Sequence, residues 1–183
     1  MRRLFSRSCY FLGLACFIAS LFFPTVPHQM IDDATVKYWV TPIPAHARYA
    51  LNPLAHTFEL IEMKVNSAEY GEGQGGDGYE RGVRDKTVEL LGSLPISMAW
   101  FMTWYSLFLI RRTTPFSMKI ARAGGMAMLL SVPIMSRDFY VVATLYKGYV
   151  HLGLGACFIV GSFLMMGIGL LTWSWESGEI ANQ

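Results

Sequence analysis

Apolar positions gather into four uncharged runs, residues 8–31, 90–110, 123–136 and 148–175. A hydrocarbon core of about 30 Å asks for about 20 helical residues at 1.5 Å each. Three runs reach that length. The run at 123–136 falls short, closed in by Arg122 and Arg137, so either Arg122 reaches the boundary along its own stem or the helix continues past Arg137. The pattern predicts an all-α membrane protein, a four-transmembrane-helix bundle with a small non-cytoplasmic segment between helices 1 and 2.

The chain divides accordingly into an N-terminal tip and first span (1–26), a non-cytoplasmic segment (27–89), spans two to four (90–175) and a tail (176–183). Within the second unit, Pro24, Pro27, Pro42 and Pro44 keep the backbone extended or turning, because proline donates no hydrogen bond and restricts the residue before it. No long helix is expected there. Residues 36–40, Val-Lys-Tyr-Trp-Val, suit a short strand or an aromatic belt at the membrane surface, and the belt is the favoured reading. Asn52-Pro53 reads as an N-cap and first helical position, opening an amphipathic helix at 53–66 with Leu54, Phe58, Ile61 and Val65 on one stripe. One short helix cannot bury its own stripe. Phe58 and Ile61 are therefore expected to dock on the bundle's outer end, on the membrane surface or on a partner chain.

Residues 71–78 hold five glycines and read as a loop. A phosphate cradle would need a Gly-Lys-Ser/Thr ending at a helix start, or a preceding strand, and neither context is present. From about Tyr79 a helix is expected to run unbroken into the second span, bent at Pro95. The last span ends at Trp173 and Trp175, as a membrane boundary favours.

Composition agrees with the pattern: 53% of residues are hydrophobic and 15% charged. A net charge of +2 is too small to imply nucleic-acid binding, and its distribution matters more than its sum. Arg2, Arg3 and Arg7 precede the first span, and Arg111, Arg112, Lys119 and Arg122 crowd the connection between the second and third. The positive-inside rule places both segments in the cytoplasm, which puts both termini inside and gives a bacterial inner membrane as the expected location. Cys9, Cys16 and Cys157 all fall in spans, so no disulfide framework is expected and quinone-coupled thiol oxidoreductases, which need cysteine pairs outside the membrane, are set aside. A basic tip before an apolar run also describes a cleavable signal peptide. The run continues through Phe22 and Phe23, which favours an uncleaved anchor.

Candidate chemistry is sparse. No Asp, Glu, Lys, Arg or His lies at the centre of an expected span, which disfavours proton relays and ion pathways. His28, His46 and His151 read as interfacial residues. His56, Glu59 and Glu62 have the spacing of di-metal helices, but that architecture needs several such helices, and His56 points away from the apolar stripe, toward water. No catalytic, metal or cofactor site is expected, and the chain reads as a non-enzyme. The positive signal is small residues: Gly153, Cys157 and Gly161 recur every four positions on the fourth span, suited to close helix packing, and Gly155 and Gly167 give it a second narrow face. The expected role is a non-catalytic membrane subunit or accessory factor, in contact with the lipid bilayer and with a membrane-protein partner or a second copy of itself. An immunity or exclusion factor of the inner membrane, and a small channel or transporter, are the alternatives.

Overall fold

The computed structural model describes residues 2–23, 27–30, 36–39, 42–70, 76–109, 114–145 and 153–181. They form five helices, α1 (Arg2–Ser20), α2 (Pro42–Tyr70), α3 (Gly76–Leu109), α4 (Pro115–Leu145) and α5 (Leu154–Ala181), with a two-stranded ribbon, β1 (Pro27–Met30) and β2 (Val36–Trp39), between α1 and α2. The ribbon is antiparallel, with Pro27 opposite Trp39 and Met30 opposite Val36. The backbone at 36–39 thus takes the strand reading, paired with a segment that starts at a proline, a position where a missing donor is tolerated.

Among the described residues, two helical stretches are long and apolar enough to cross a membrane, Phe116–Val141 (26 residues, mean hydropathy 1.2) and Leu154–Ser174 (21 residues, mean hydropathy 2.2). Four such spans were expected, and these are the two that the described residues contain. The apolar part of α1, Leu4–Ser20, is shorter. The lower half of α3 is diluted by Pro95, Trp100, Trp104, Tyr105 and several serines. The third run, by contrast, is longer than its charges implied. Thr114 caps α4, its hydroxyl accepting from the Ser117 N–H at 3.2 Å with Pro115 at the first helical position. The helix then runs through both Arg122 and Arg137. Arg122 is accommodated by donating to the Ser174 carbonyl of α5 at 3.3 Å.

The helices are knitted by antiparallel neighbours. Gly13 of α1 sits against Ser162 and Met166 of α5, and Gly169 of α5 against Ser6 and Tyr10 of α1. A Cβ at Gly169 would lie 2.8 Å from the Tyr10 nitrogen and 2.9 Å from the Ser6 carbonyl oxygen. Backbone cannot retreat as a side chain can, so this approach requires glycine. Gly125 of α4 and Gly167 of α5 meet in the same way, where a Cβ on either would lie 3.0–3.1 Å from the other's carbonyl oxygen. Phe17, Met128, Met135, Ile159, Phe163, Met166 and Leu170 fill the centre. The Tyr10 and Ser106 hydroxyls, 2.8 Å apart, tie α1 to α3.

Burial runs partly inside out. Ser97, Thr103, Ser106, Ser131 and Ser162 are buried, whereas Leu94, Met98, Phe101, Phe108, Phe116, Met126, Leu130 and Leu164 are exposed. The buried hydroxyls donate to backbone carbonyls, as Thr103 does to Ala99 at 2.9 Å and Ser162 to Ile159 at 2.7 Å, so they need no water.

Two corrections concern α2. The helix was expected at 53–66, after an extended proline-rich stretch, but it begins at Pro42 and runs through Pro53. Pro42 and Pro44 fall in its first turn, where no backbone donor is needed. Pro53 lacks the N–H that would bond the Tyr49 carbonyl, and beside this break the Ser97 hydroxyl of α3 donates to the Ala50 carbonyl at 2.8 Å, tying α2 to α3. His46, expected at an interface, is instead 2% exposed, with Nε2 3.1 Å from the Ser20 hydroxyl and its ring edge-on to Phe17. α3 likewise begins earlier than expected, at Gly76. His151, residues 71–75 and the connection at 110–113 lie outside the described residues, as does the side chain of Trp175.

Candidate functional site

α2 and α3 form an antiparallel hairpin: Ala50 lies beside Ser97, His56 beside Glu89 and Met63 beside Gly82. The described buried residues of α3 begin at Ser93, and those of α2 are His46 and Ala50. From Leu54 upward on α2 and from Glu89 upward on α3, the hairpin therefore stands clear of the bundle core. Thirteen residues from Gly76 to Glu89 at about 1.5 Å each project it by roughly 20 Å.

The apolar stripe lies on the hairpin's outside. Phe58 is 70% exposed and Ile61 52%, with Leu54 and Val65 exposed on either side. Among the described residues, the stripe faces away from α3.

The opposite face of α2 is polar and meets α3. Lys86 Nζ lies 2.9 Å from Glu59 Oε2 and 2.8 Å from Glu89 Oε2, and His56 Nδ1 stands 3.5 Å and 3.7 Å from the same two oxygens. The ammonium so placed holds the Glu59 carboxyl below the usual carboxylate range, and the hydrogen bonds that Lys86 donates to Glu89 and Glu59 in turn push Lys86 up. His56, expected to face water, is half-buried against α3. Its Nδ1 and the two carboxylates lie within 4.8 Å of one another, a separation that suits metal ligands. Lys86 supplies the positive charge at that point, so the group works as a latch between two helices. Lys86 and Glu89 escaped the sequence reading because their relation to Glu59 depends on the hairpin register. The signal was available in the Lys86–Glu89 spacing on a helix preceding the second span.

Below the latch, a cleft of about 740 Å³ opens between the hairpin and α4. His56, Glu89, Arg137 and Asp138 stand at one end, and Ile96 and Ile134 line the other. Tyr49 also borders it, its phenol pushed up to about 12 by burial and by the Asp138 carboxylate, so the hydroxyl stays protonated and can donate. Gly92 forms part of the wall, and a Cβ there would meet nothing within 4 Å. Composition and periodicity gave no sign of this cleft.

The three small residues singled out on the last helix sit apart from these features. Gly153 is half-buried just before α5, its carbonyl accepting from the Ala156 N–H at 3.0 Å. Cys157 is exposed, and a Cβ at Gly161 would meet nothing within 4 Å. Close approach inside the subunit uses Gly13, Gly125, Gly167 and Gly169 instead.

No protein-family model matches this sequence, and no curated protein or solved structure does.

Proposed function

We propose that the chain is a non-catalytic, four-span membrane subunit that acts by binding a partner protein through the projecting α2–α3 hairpin. The observation that carries this reading is the Leu54, Phe58, Ile61 and Val65 stripe, left open to solvent on a helix whose other face is already occupied by α3. Burying Phe58 and Ile61 would contribute roughly 1.5–3 kcal/mol each.

The membrane part of the reading rests on geometry as well as hydropathy. α1 lies antiparallel against α5, Gly13 beside Met166 and Tyr10 beside Gly169, which supports reading α1 as a span alongside α5. α3 is bonded to α1 through Tyr10 and Ser106 and exposes Leu94, Met98, Phe101 and Phe108. Such a surface suits lipid and would aggregate in water. On this reading both termini lie in the cytoplasm of a bacterium and the hairpin on the far side of its inner membrane. Gly153, Cys157 and Gly161 then offer a second contact face, for a helix of another chain.

The test is affinity purification of the tagged full chain from its native membrane, wild type beside Phe58→Asp. A stoichiometric protein should accompany the wild type and be lost from the variant, while both insert equally. Equal recovery of that protein with the variant would remove the stripe from the binding surface. Robust solute flux by the pure chain in liposomes would favour a transporter instead.

A further inference from the structure

The cleft beside the hairpin has a polarity gradient along its length. On α3, Glu89 at the rim and Ile96 in the depth are separated by seven residues, roughly 10 Å. On α4, Asp138 and Ile134 are separated by four, roughly 6 Å. Between these pairs both walls pass from charged to apolar toward the centre of the bundle, with Ser93 polar midway on α3 and Val88 and Val141 apolar at the outer lip. A lipid in the leaflet at this end of the bundle has the same order of head and chain.

The rim carries both signs. Arg137 offers a guanidinium, which suits a phosphate, and Asp138 and Glu89, one of whose oxygens Lys86 already holds, offer carboxylate oxygens, which suit a primary ammonium. A purely anionic headgroup would meet the two carboxylates, and free phosphate would leave the apolar depth unfilled. The volume of about 740 Å³ falls within the range of about 300–1,000 Å³ typical of small-molecule sites.

Gly92 adds an independent observation. Glycine inside a helix is destabilising relative to alanine, and close packing usually accounts for it. At Gly13, Gly125, Gly167 and Gly169 it does, but at Gly92, as at Gly161, an added Cβ would touch nothing, and of these two only Gly92 borders the cleft. What the missing side chain leaves is room in the cleft wall.

We propose that this cleft seats one aminophospholipid, its phosphate at Arg137, its ammonium between Glu89 and Asp138, and its first methylenes running down past Ile96 and Ile134. The proposal rests on the membrane reading above but not on the partner.

The full chain, reconstituted in nanodiscs of equal parts phosphatidylethanolamine, phosphatidylcholine and phosphatidylglycerol, would be released into mild detergent and examined by native mass spectrometry. One phosphatidylethanolamine per chain should be retained over the other two, because the quaternary choline nitrogen has no hydrogen to donate to the carboxylates. Gly92→Phe, which fills the space, should abolish retention without lowering the melting temperature. Arg137→Gln, which keeps the volume, should reduce retention about tenfold, the effect of one charge-assisted hydrogen bond. Leu164→Ala, on an exposed face outside the cleft, should leave retention unchanged. Equal retention of all three lipids, or undiminished retention in both Gly92→Phe and Arg137→Gln, overturns the proposal. If Gly92→Phe fails to fold, Arg137→Gln decides alone. A chain that stays monodisperse in buffer without detergent sinks the membrane reading and this proposal together, whereas one that needs detergent yet shows no lipid preference sinks this proposal only.

Discussion

Gly169 on α5 and Phe58 on α2 show opposite treatments of helix surface. Around Gly169 the side chain is absent and the backbone of α1 has moved in, so the seam between α1 and α5 is complete within the chain. Around Phe58 a large apolar side chain stands 70% exposed on a helix that projects from the bundle. Van der Waals contact holds the first region, and it can be had only at short range. The second region gains its favourable term only when something else covers it. One region is closed within the chain, and the other is open at its surface.

The seam should therefore be the more sensitive of the two to added bulk. Gly169→Leu places its side chain against the Tyr10 nitrogen and the Ser6 carbonyl, and backbone obstacles put its cost at the upper end of overpacking, about 3 kcal/mol or more. Resistance to denaturation by SDS, followed by circular dichroism, should fall steeply. A variant as resistant as the wild type would mean that α1 and α5 are not seamed here.

The hairpin should show the reverse. Phe58→Asp is expected to change the stability of the isolated subunit by less than about 0.5 kcal/mol, since an exposed position is altered. The same change should weaken partner binding by about 2 kcal/mol or more, as for a hot-spot aromatic. A large loss of subunit stability would show that Phe58 is already packed, and would close the distinction between the two regions.

How much of this was legible in the sequence depended on how local the cause was. The Leu54, Phe58, Ile61 and Val65 stripe follows from helical periodicity, and the structure leaves it exposed as a unit. The start of α2 was misplaced because Asn52-Pro53 is a good local helix opening, whereas the helix begins at Pro42, runs through Pro53 and is held to α3 beside it by Ser97, a residue 47 positions from Ala50. No local rule contains that contact. The two strands were half-legible: residues 36–39 have the composition, but their partner begins at Pro27, which reads as a breaker. The Lys86 latch and the cleft were out of reach because both depend on the register of one helix against another. Small residues on α5 were visible as a class. Which of them face a neighbour is set by the rotation of the helix, and Gly167 and Gly169 do so within the chain.

Gly161→Leu sharpens that last point with a smaller effect. Its Cβ position opens on empty space, so subunit stability should move by no more than about 0.5 kcal/mol. Phe163→Ala, two residues on and fully buried, should cost about 3–5 kcal/mol. If the Gly153, Cys157 and Gly161 face receives another chain, Gly161→Leu should lower the assembled fraction in blue-native electrophoresis while the melting curve stays in place. Parallel losses in both readouts would assign Gly161 to the interior.

The smallest effect concerns the latch that keeps the hairpin's two helices in register. Glu59 has a folded pKa below its unfolded value because Lys86 donates to it, so its contribution is present above the ordinary carboxylate range and is lost as pH falls through the lowered folded value. Lys86 has a raised folded pKa, so its contribution is present below the ordinary lysine range and is lost as pH rises through the raised value. The latch is consequently closed throughout the neutral range and opens in strong acid, when Glu59 is protonated, or in strong base, when Lys86 loses its proton. Because the groups are exposed, water screens the pairing and the effect is modest. Amide exchange at Val83 and Thr87, on the projecting part of α3, should quicken a few-fold as pH is lowered through the carboxylate range, once corrected for the intrinsic rate. Exchange at Met128 and Met166, in the bundle centre, should keep its protection. Lys86→Met should make the hairpin's exchange insensitive to pH over that interval, and a hairpin in this variant that still loosens in acid would assign the pH response to some other carboxylate.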